Sequence, residues 1–174
     1  MKLIILFLFF SQVIFAQATI GFDNLGYNSN QKIGKALVAD GFTMESNRDF
    51  HTNYGSGFDV YSLSIYYVWE DTETGIITMS SEENGTITFV SFASYQVSET
   101  VTDYQLTVEG WYDTELRYTK SFTDINQWDI LGLNYEEVNK IVIKFNATNP
   151  FNLIDFNFDD FTFIYGKRDI KVKL

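Results

Sequence analysis

The feature that most constrains the fold is a series of short runs in which apolar and polar residues alternate. Between residues 59 and 69, Tyr61, Leu63, Ile65 and Tyr67 share one face of a predicted strand. A period of two is typical of a β-strand with one buried face. Beyond the first residues no amphipathic helix stands out, and only residues 135–138 are predicted to form one helical turn. Roughly nine or ten such runs predict an all-β chain folded as an antiparallel β-sandwich.

Turn signals and chain length are consistent with a single domain. The Asn84-Gly85 dipeptide lies between two predicted strands and is a strong β-hairpin signal. The single proline, Pro150, falls in a predicted loop, where it interrupts no strand ladder. A chain of 174 residues is long enough for one core, and no repeat or linker divides it. We therefore predict one β-sandwich domain over residues 19–166, with an opening strand at residues 19–22.

The two ends of the chain carry their own signals. Lys2 precedes an unbroken apolar run at residues 3–10, which is shorter than the roughly 20 residues needed to span a bilayer. Small residues follow at Ala16 and Ala18, so residues 1–18 are predicted to be a signal peptide, cleaved after residue 16 or 18. An N-terminal membrane anchor is the alternative. Residues 167–174 are predicted to be a basic, solvated tail. The predicted location is periplasmic, cell-surface or extracellular, with no stable membrane insertion after cleavage.

Cysteine content and charge narrow the possible partners. The chain has no cysteine, so an exported domain must be held by its core, by a metal or by both, which favours a bacterial origin. The formal net charge of -11 disfavours nucleic acid and anionic membrane, because phosphate binding relies on Lys and Arg. The same charge is compatible with neutral glycans and with cations.

The segment FNFDDFTFIY, residues 156–165, predicts a local irregularity near the C-terminus. Phe156 and Phe158 have even numbers, whereas the later aromatic residues have odd ones, and the change occurs at Asp159 and Asp160. A β-bulge inserts one residue and thereby exchanges the two faces of a strand. One interpretation is that these carboxylates cap the bulge by accepting backbone N–H bonds. The other is that they bind a metal.

Five segments together resemble secreted bacterial jelly-roll modules of the carbohydrate-binding, galactose-binding-like type. They are IGFD (20–23), GFTM (41–44), LTVEGW (106–111), NKIVI (139–143) and FDDFTF (158–163). The resemblance implies a jelly roll in which the first and last strands lie together. In several such families these strands share a structural calcium ion, which implies a site built from Asp23 and Asp160 with Asp159. Carboxylate and carbonyl oxygens are the ligands that calcium prefers.

Glycan binding would require exposed aromatic rings, because a flat ring can stack on the apolar face of a sugar. Trp111 has the same parity as Gln105 and Glu109, so it is predicted to point away from the buried face of its strand. The candidate ligand-binding residues are Trp111, Trp69, Tyr66, Trp128, Gln105, Glu109 and Asn126. The alternative is that the aromatic residues among them belong to the core, since 18% of the chain is aromatic.

Catalytic signals are weak. His51 is the only histidine, and neither a nucleophile elbow nor an oxyanion-loop motif accompanies it. We therefore predict a secreted, non-catalytic module that binds a polysaccharide or a surface glycan, with one structural calcium ion as its only cofactor. The alternatives are an extracellular protein-protein interaction or adhesion module, and a small glycan-active hydrolase or lyase. A hydrolase would require two carboxylates that face each other at a fixed separation.

Overall fold

The computed structural model describes residues 17–22, 31–54, 61–67, 74–81, 85–96, 104–123, 129–147 and 154–165. Within these ranges every regular element is a β-strand. The same ranges contain no helix of the length and apolarity needed to cross a membrane. Residues 1–16 of the predicted signal peptide and the predicted basic tail lie outside the described residues.

Eleven strands follow one another along the described chain. They are β1 (Gln17–Ile20), β2 (Lys32–Ala39), β3 (Phe42–Tyr54), β4 (Tyr61–Tyr67), β5 (Gly75–Ser81), β6 (Ile87–Gln96), β7 (Tyr104–Tyr112), β8 (Glu115–Phe122), β9 (Asp129–Val138), β10 (Lys140–Ala147) and β11 (Ile154–Tyr165). Each strand pair is antiparallel. The predicted all-β, antiparallel sandwich is confirmed.

The long strand β3 connects the two layers of the sandwich. Its residues 42–46 pair with β5, whereas its residues 50–54 pair with β4 on the same edge. Strand β2 follows the opposite edge of β3 through both halves. The first layer therefore runs β8-β7-β10-β5 and on to the first half of the β2–β3 hairpin. The second layer runs β9-β6-β11-β4 to the other half, and β1 adds to β11.

Aromatic rings from both layers form the core between them. Phe42 of the first layer stacks on Phe163 of the second, with ring centroids 4.3 Å apart, and Phe145 lies 6.0 Å from Phe158. All four side chains are buried. Burying a side chain of this size stabilises a fold by about 1.5–3 kcal/mol relative to leaving it exposed. The apolar core therefore holds together a chain that has no disulfide.

The predicted bulge in the closing strand is confirmed. Strand β11 changes register against β6 between Asp159 and Thr162. Phe158 and Phe161 are both fully buried although they are three residues apart. Asp160 between them has a left-handed φ of 50°, which is a backbone conformation found at bulges. The extra residue lets an odd-numbered and an even-numbered aromatic side chain enter the same core.

The opening and closing strands are neighbours, as expected. Strand β1 pairs with β11 directly after the bulge, with Ile20 opposite Phe161. The strand begins at Gln17, two residues before the predicted opening strand. Gln17 and Ala18 extend the ladder because they continue the pairing along β11, to Ile164 and Phe163.

The predicted helical turn at residues 135–138 is wrong, because these residues belong to strand β9. Strand β9 pairs with β6, and its register shifts twice: a step of two residues along β6 matches a step of three residues along β9. Asn134 and Glu137 take left-handed φ values of 55° and 51° at these irregularities. The bulges bring both Tyr135 and Val138 into the core. A bulge thus reproduces the three-residue apolar spacing that is otherwise typical of a helix.

Candidate functional site

The outward side of the first layer presents the best candidate site. Along β7, Leu106 and Val108 point into the core, so the alternate residues point outward. We call this side the open face. Its outward residues are Leu116, Thr119 and Ser121 of β8; Gln105, Thr107, Glu109 and Trp111 of β7; Lys140, Val142 and Lys144 of β10; Ile76, Thr78 and Ser80 of β5; Thr43 and Glu45 of β3; and Ala36 and Val38 of β2.

Glu109 is the buried centre of the open face. Its residue is only 8% exposed. The indole Nε1–H of Trp111 donates to its Oε2 at 3.0 Å, and the ammonium Nζ of Lys144 donates to its Oε1 at 2.5 Å. A buried carboxylate requires such partners, because burying it unpaired would cost several kcal/mol. Both carboxylate oxygens are therefore engaged, and Glu109 holds the Trp111 ring and the Lys144 ammonium in fixed positions.

Trp111 itself is half-buried and held from several sides. The Lys140 ammonium lies over its ring, 4.9 Å from the ring centroid, which is cation–π geometry. The backbone N–H of Asn139 donates to the Trp111 carbonyl oxygen at 2.9 Å. Because side chain and backbone are both fixed, the ring is presented to solvent in one orientation.

Asn139 also fixes the turn that follows Trp111. It is the single residue between β9 and β10. The Asp113 backbone N–H donates to the Asn139 Oδ1 at 2.9 Å, and the Asn139 Nδ2 donates to the Asp113 Oδ1 at 2.7 Å. This reciprocal pair ties the β7–β8 turn, where Asp113 has a φ of 52°, to the corner between the two layers.

Tyr135 of β9 contacts strand β7 on the inner side, behind the open face. Its hydroxyl donates to the Val108 carbonyl oxygen at 3.0 Å, and its ring stacks on Tyr118 with centroids 4.9 Å apart. A Cβ atom on Gly110 would lie 2.7 Å from the Tyr135 ring, so only glycine allows this approach. Burial and, second to it, the negative charge of Glu109 raise the pKa of Tyr135 to about 12. The phenol is therefore neutral at physiological pH.

The sequence matches no family model and no curated protein. Among solved structures, a family 29 carbohydrate-binding module from Piromyces equi is 12% identical and has a TM-score of 0.53, covering 92% of this chain and 97% of that one. Another family 29 module is 9% identical and has a TM-score of 0.52, covering 87% of this chain and 90% of that one. The fold is similar to that of carbohydrate-binding modules. The likeness supports the β-sandwich that the strand pattern predicts.

The structure brings three of the predicted ligand-binding residues together. Gln105, Glu109 and Trp111 share the outward side of β7. Tyr66 belongs to β4 in the second layer, away from this group, and its side chain lies outside the described part of the structure. Trp69, Trp128 and Asn126 also lie outside the described residues.

Sequence reasoning missed Lys140 and Lys144, which complete the open face. Alternation along β10 places both on one side of that strand. The pairing of β10 with β7 brings that side next to Trp111 and Glu109. The alternation is visible in the sequence, but the partner of a strand is decided by long-range packing.

The predicted calcium site has two of its three carboxylates in the described structure. Asp159 is buried and Asp160 is exposed. The Oδ1 atom of each lies 3.8 Å from the position that a Cβ atom would take on Gly21, two residues before Asp23. Asp23 is outside the described residues, and no three His, Cys, Asp or Glu side chains gather anywhere within them. The oxygens suit calcium in kind, and the ion stays a prediction.

One of the same carboxylates, that of Asp159, accepts a backbone N–H at the bulge, as the bulge-capping interpretation predicts. The Asp160 backbone N–H donates to the Asp159 Oδ1 at 2.9 Å. The Thr162 hydroxyl donates to the Asp160 carbonyl oxygen at 3.3 Å. Asp159 thus satisfies a backbone donor at the point where the β11 ladder is interrupted.

His51 lies apart from the open face, on the half of β3 that belongs to the second layer. Burial lowers the pKa of His51, against the opposing effect of the Asp49 charge. Asp49 itself forms an ion pair with Lys32 at 2.5 Å. The imidazole is therefore neutral at physiological pH.

Proposed function

We propose that this chain is an exported, non-catalytic binding module that recognises a polysaccharide or surface glycan through its open face. The observation that carries the proposal is Trp111, a partly exposed residue whose ring and backbone are held by Glu109, Lys140 and Asn139. The similarity of the fold to carbohydrate-binding modules supports the same function.

The chemistry of the open face suits a sugar. An indole ring offers a flat apolar surface for the C–H face of a pyranose. The hydroxyls of Thr119, Ser80 and Thr43 on the open face are exposed or half-buried and offer hydrogen bonds to sugar hydroxyls. Because Trp111 is already held in place, little side-chain entropy is lost when a ligand stacks on it. In this proposal Glu109 acts by positioning the ring and the ammonium.

The carboxylates of the open face favour binding over hydrolysis. Glu109 is engaged on both oxygens. Successive register partners of Glu109 across the sheet are Val142, Thr78 and Glu45, so the Glu45 carboxylate is three strands away. Three strand spacings amount to about 14 Å, whereas the carboxyl groups of glycosidases lie roughly 5–9.5 Å apart. The pair is too widely spaced to flank one glycosidic bond.

The exposed apolar residues also favour a glycan over a protein partner. A protein-docking surface would present a contiguous apolar patch. In the described part of the chain the strongly exposed large apolar residues are Val38, Tyr112, Leu116 and Ile130. Val38 and Leu116 lie at opposite edges of the first layer, and Ile130 lies in the second layer. Tyr112 belongs to the same β7–β8 hairpin as Leu116, and the four residues together form no single patch.

Replacement of Trp111 tests the proposal. Trp111→Ala should lower the affinity for any glycan that the native chain retains by roughly 30-fold or more, because a central aromatic contact is worth about 2 kcal/mol. Trp111→Phe keeps an apolar ring and should retain more affinity than the alanine variant. The measurements are glycan-array retention and affinity electrophoresis, with circular dichroism to confirm folding.

Ile130→Ala is the matched control. Ile130 is 79% exposed in the second layer, so its removal deletes an apolar surface residue without touching the open face. The control should bind as the native chain does. Unchanged glycan retention by a folded Trp111→Ala variant would refute the proposal.

A further inference from the structure

We infer that a bound oligosaccharide lies across the strands of the first layer, along a line that joins its two edges. This inference rests on the proposed function and specifies the direction and the extent of the ligand. One outward residue from each of six strands is in register with the next: Leu116, Trp111, Lys140, Ser80, Thr43 and Val38. We call these six residues the Trp111 row.

Both ends of the Trp111 row are apolar and exposed. Leu116 on β8 is 46% exposed, and Val38 on β2 is 58% exposed. Edge strands commonly carry charged residues that prevent association, so an apolar residue at each end of one row requires another reason. Together with Trp111 these residues provide three apolar contacts on one line. A chain of sugars, whose rings each present an apolar face, would bury them.

The middle of the Trp111 row is polar. Lys140, Ser80 and Thr43 lie between Trp111 and Val38. No hydrogen bond joins the Ser80 or Thr43 hydroxyl to another described residue. These two hydroxyls can therefore bond to sugar hydroxyls without breaking a contact within the protein. The Lys140 ammonium, which lies over the Trp111 ring and donates to the Asp113 carbonyl oxygen at 3.4 Å, has a further N–H to offer.

The perpendicular direction, along β7 from Trp111 to Gln105, offers fewer available groups. Glu109 and Lys144 are paired with each other. The hydroxyls of Thr107 and Ser121 lie 3.0 Å apart and bond to each other. A ligand that followed β7 would compete with these contacts, and releasing the buried Glu109 carboxylate would cost more than a new surface hydrogen bond returns. The transverse direction is favoured for this reason.

The length of the Trp111 row sets the size of the ligand. Five strand spacings of about 4.8 Å give a row of about 24 Å from Leu116 to Val38. Such a row accommodates several sugar units in an extended chain. Affinity should therefore increase with oligosaccharide length until the chain reaches from Trp111 to Val38.

The experiment compares variants across a ladder of ligand lengths. The probes are β-1,4-linked gluco-, manno-, xylo- and galacto-oligosaccharides, each from disaccharide to hexasaccharide, and the measurement is isothermal titration calorimetry. Val38→Ser should weaken hexasaccharide binding about three- to tenfold and leave disaccharide binding at Trp111 unchanged, since one apolar contact is lost. Leu116→Ser tests the other end; because Leu116 is only one strand spacing from Trp111, this variant should weaken disaccharide and hexasaccharide binding alike. Ile130→Ser, at a more exposed apolar position in the second layer, should change nothing.

Gln105→Ala distinguishes the two directions. The transverse ligand does not reach Gln105, so this variant should bind hexasaccharides as the native chain does. A loss with Gln105→Ala combined with unchanged binding by Val38→Ser would overturn the inference and leave the proposed function intact. Native binding that does not increase beyond the disaccharide would also overturn it. If the native chain binds none of the four series, the proposed function fails and the inference fails with it.

Discussion

The outward sides of the two layers differ in what surrounds their polar residues. On the second layer, Asn157 and Asp159 alternate with the core residue Phe158, yet both are buried. On the open face of the first layer, Glu109 is buried in the same way, but the residues that cover it, Trp111 among them, remain accessible. The second layer buries its outward polar side chains, whereas in the first layer the residues that cover Glu109 are in contact with solvent.

This difference separates polar residues that stabilise the fold from those that we propose for binding. Buried polar groups must be hydrogen-bonded, and Asp159 uses its carboxylate to accept the Asp160 N–H at the bulge. Glu109 uses its carboxylate to aim a ring and an ammonium outward. Changes around Asp159 should therefore alter stability without altering binding. Changes to the accessible residues of the open face should do the opposite.

The largest expected effect is that of Asp159→Ala on stability. The substitution leaves the Asp160 N–H without its carboxylate acceptor at a part-buried bulge, and a lost hydrogen bond to a charged group costs about 1.5–3 kcal/mol. For a chain of this size, such a loss lowers the Tm by roughly 4–10 °C. Urea unfolding gives the free energy of unfolding, and glycan retention below the new Tm should equal that of the native chain. Weakened retention by the folded variant would show that the two sides are not independent.

Asp160→Asn is the control for this prediction. Asp160 is exposed and has a left-handed φ of 50°, which asparagine tolerates. Its free energy of unfolding in calcium-free buffer should stay within about 0.5 kcal/mol of the native value. A cost equal to that of Asp159→Ala would mean that the bulge depends on both carboxylates alike.

Calcium removal should lower the stability of the fold by less than Asp159→Ala does. If Asp159 and Asp160 hold a calcium ion with Asp23, an ion at ten times its Kd stabilises the fold by about 1.4 kcal/mol. Chelation with EDTA should then lower the Tm by roughly 3–5 °C, and added calcium should restore it. Asp160→Asn removes one charged ligand and should reduce this response. An unchanged Tm after chelation would exclude a stabilising ion, while the bulge and its hydrogen bond would remain.

The local pattern of the sequence predicted the strands and the bulge because both depend on neighbouring residues. The phase change at Asp159 is visible from the parity of the surrounding phenylalanines. The same reasoning failed at Tyr135 and Val138, where bulges with left-handed residues give an apolar spacing of three. Parity alone cannot separate a bulged strand from a helical turn, since both bring residues three apart to one side.

The site was predictable only in part because it depends on strand pairing. Parity placed Trp111 and Glu109 on one side of β7. The register that brings Lys144 to Glu109 joins residues 35 positions apart in the chain, and no local pattern encodes that separation. The Trp111 row depends on three such long-range registers and on two hairpin registers, each between residues five positions apart. Long-range register is set by which faces pack in the core.

The smallest expected effect concerns Tyr135, which lies behind the open face. Its hydroxyl bonds to the Val108 carbonyl oxygen, so Tyr135→Phe should cost about 1 kcal/mol at pH 8. The pKa of Tyr135 is about 12 in the folded chain, above the value of about 10 in an unfolded chain. A raised pKa means that the fold favours the neutral phenol, so this contribution is complete below pH 10 and is lost as the pH rises towards 12.

The free energy of unfolding of the native chain minus that of Tyr135→Phe isolates this contribution, because the other groups titrate alike in both chains. The difference should be constant from pH 7 to about 9, and should then decrease and change sign between pH 10 and 12. Glu109→Gln removes the negative charge that adds to the effect of burial, so the folded-state pKa of Tyr135 should fall. The decrease should still begin near pH 10, but it should be smaller and end at a lower pH in that background. A difference independent of pH would show that Tyr135 ionises in the fold as it does in the unfolded chain. The Tyr135 side chain would then not be shielded from water behind the open face, contrary to its burial in the structure.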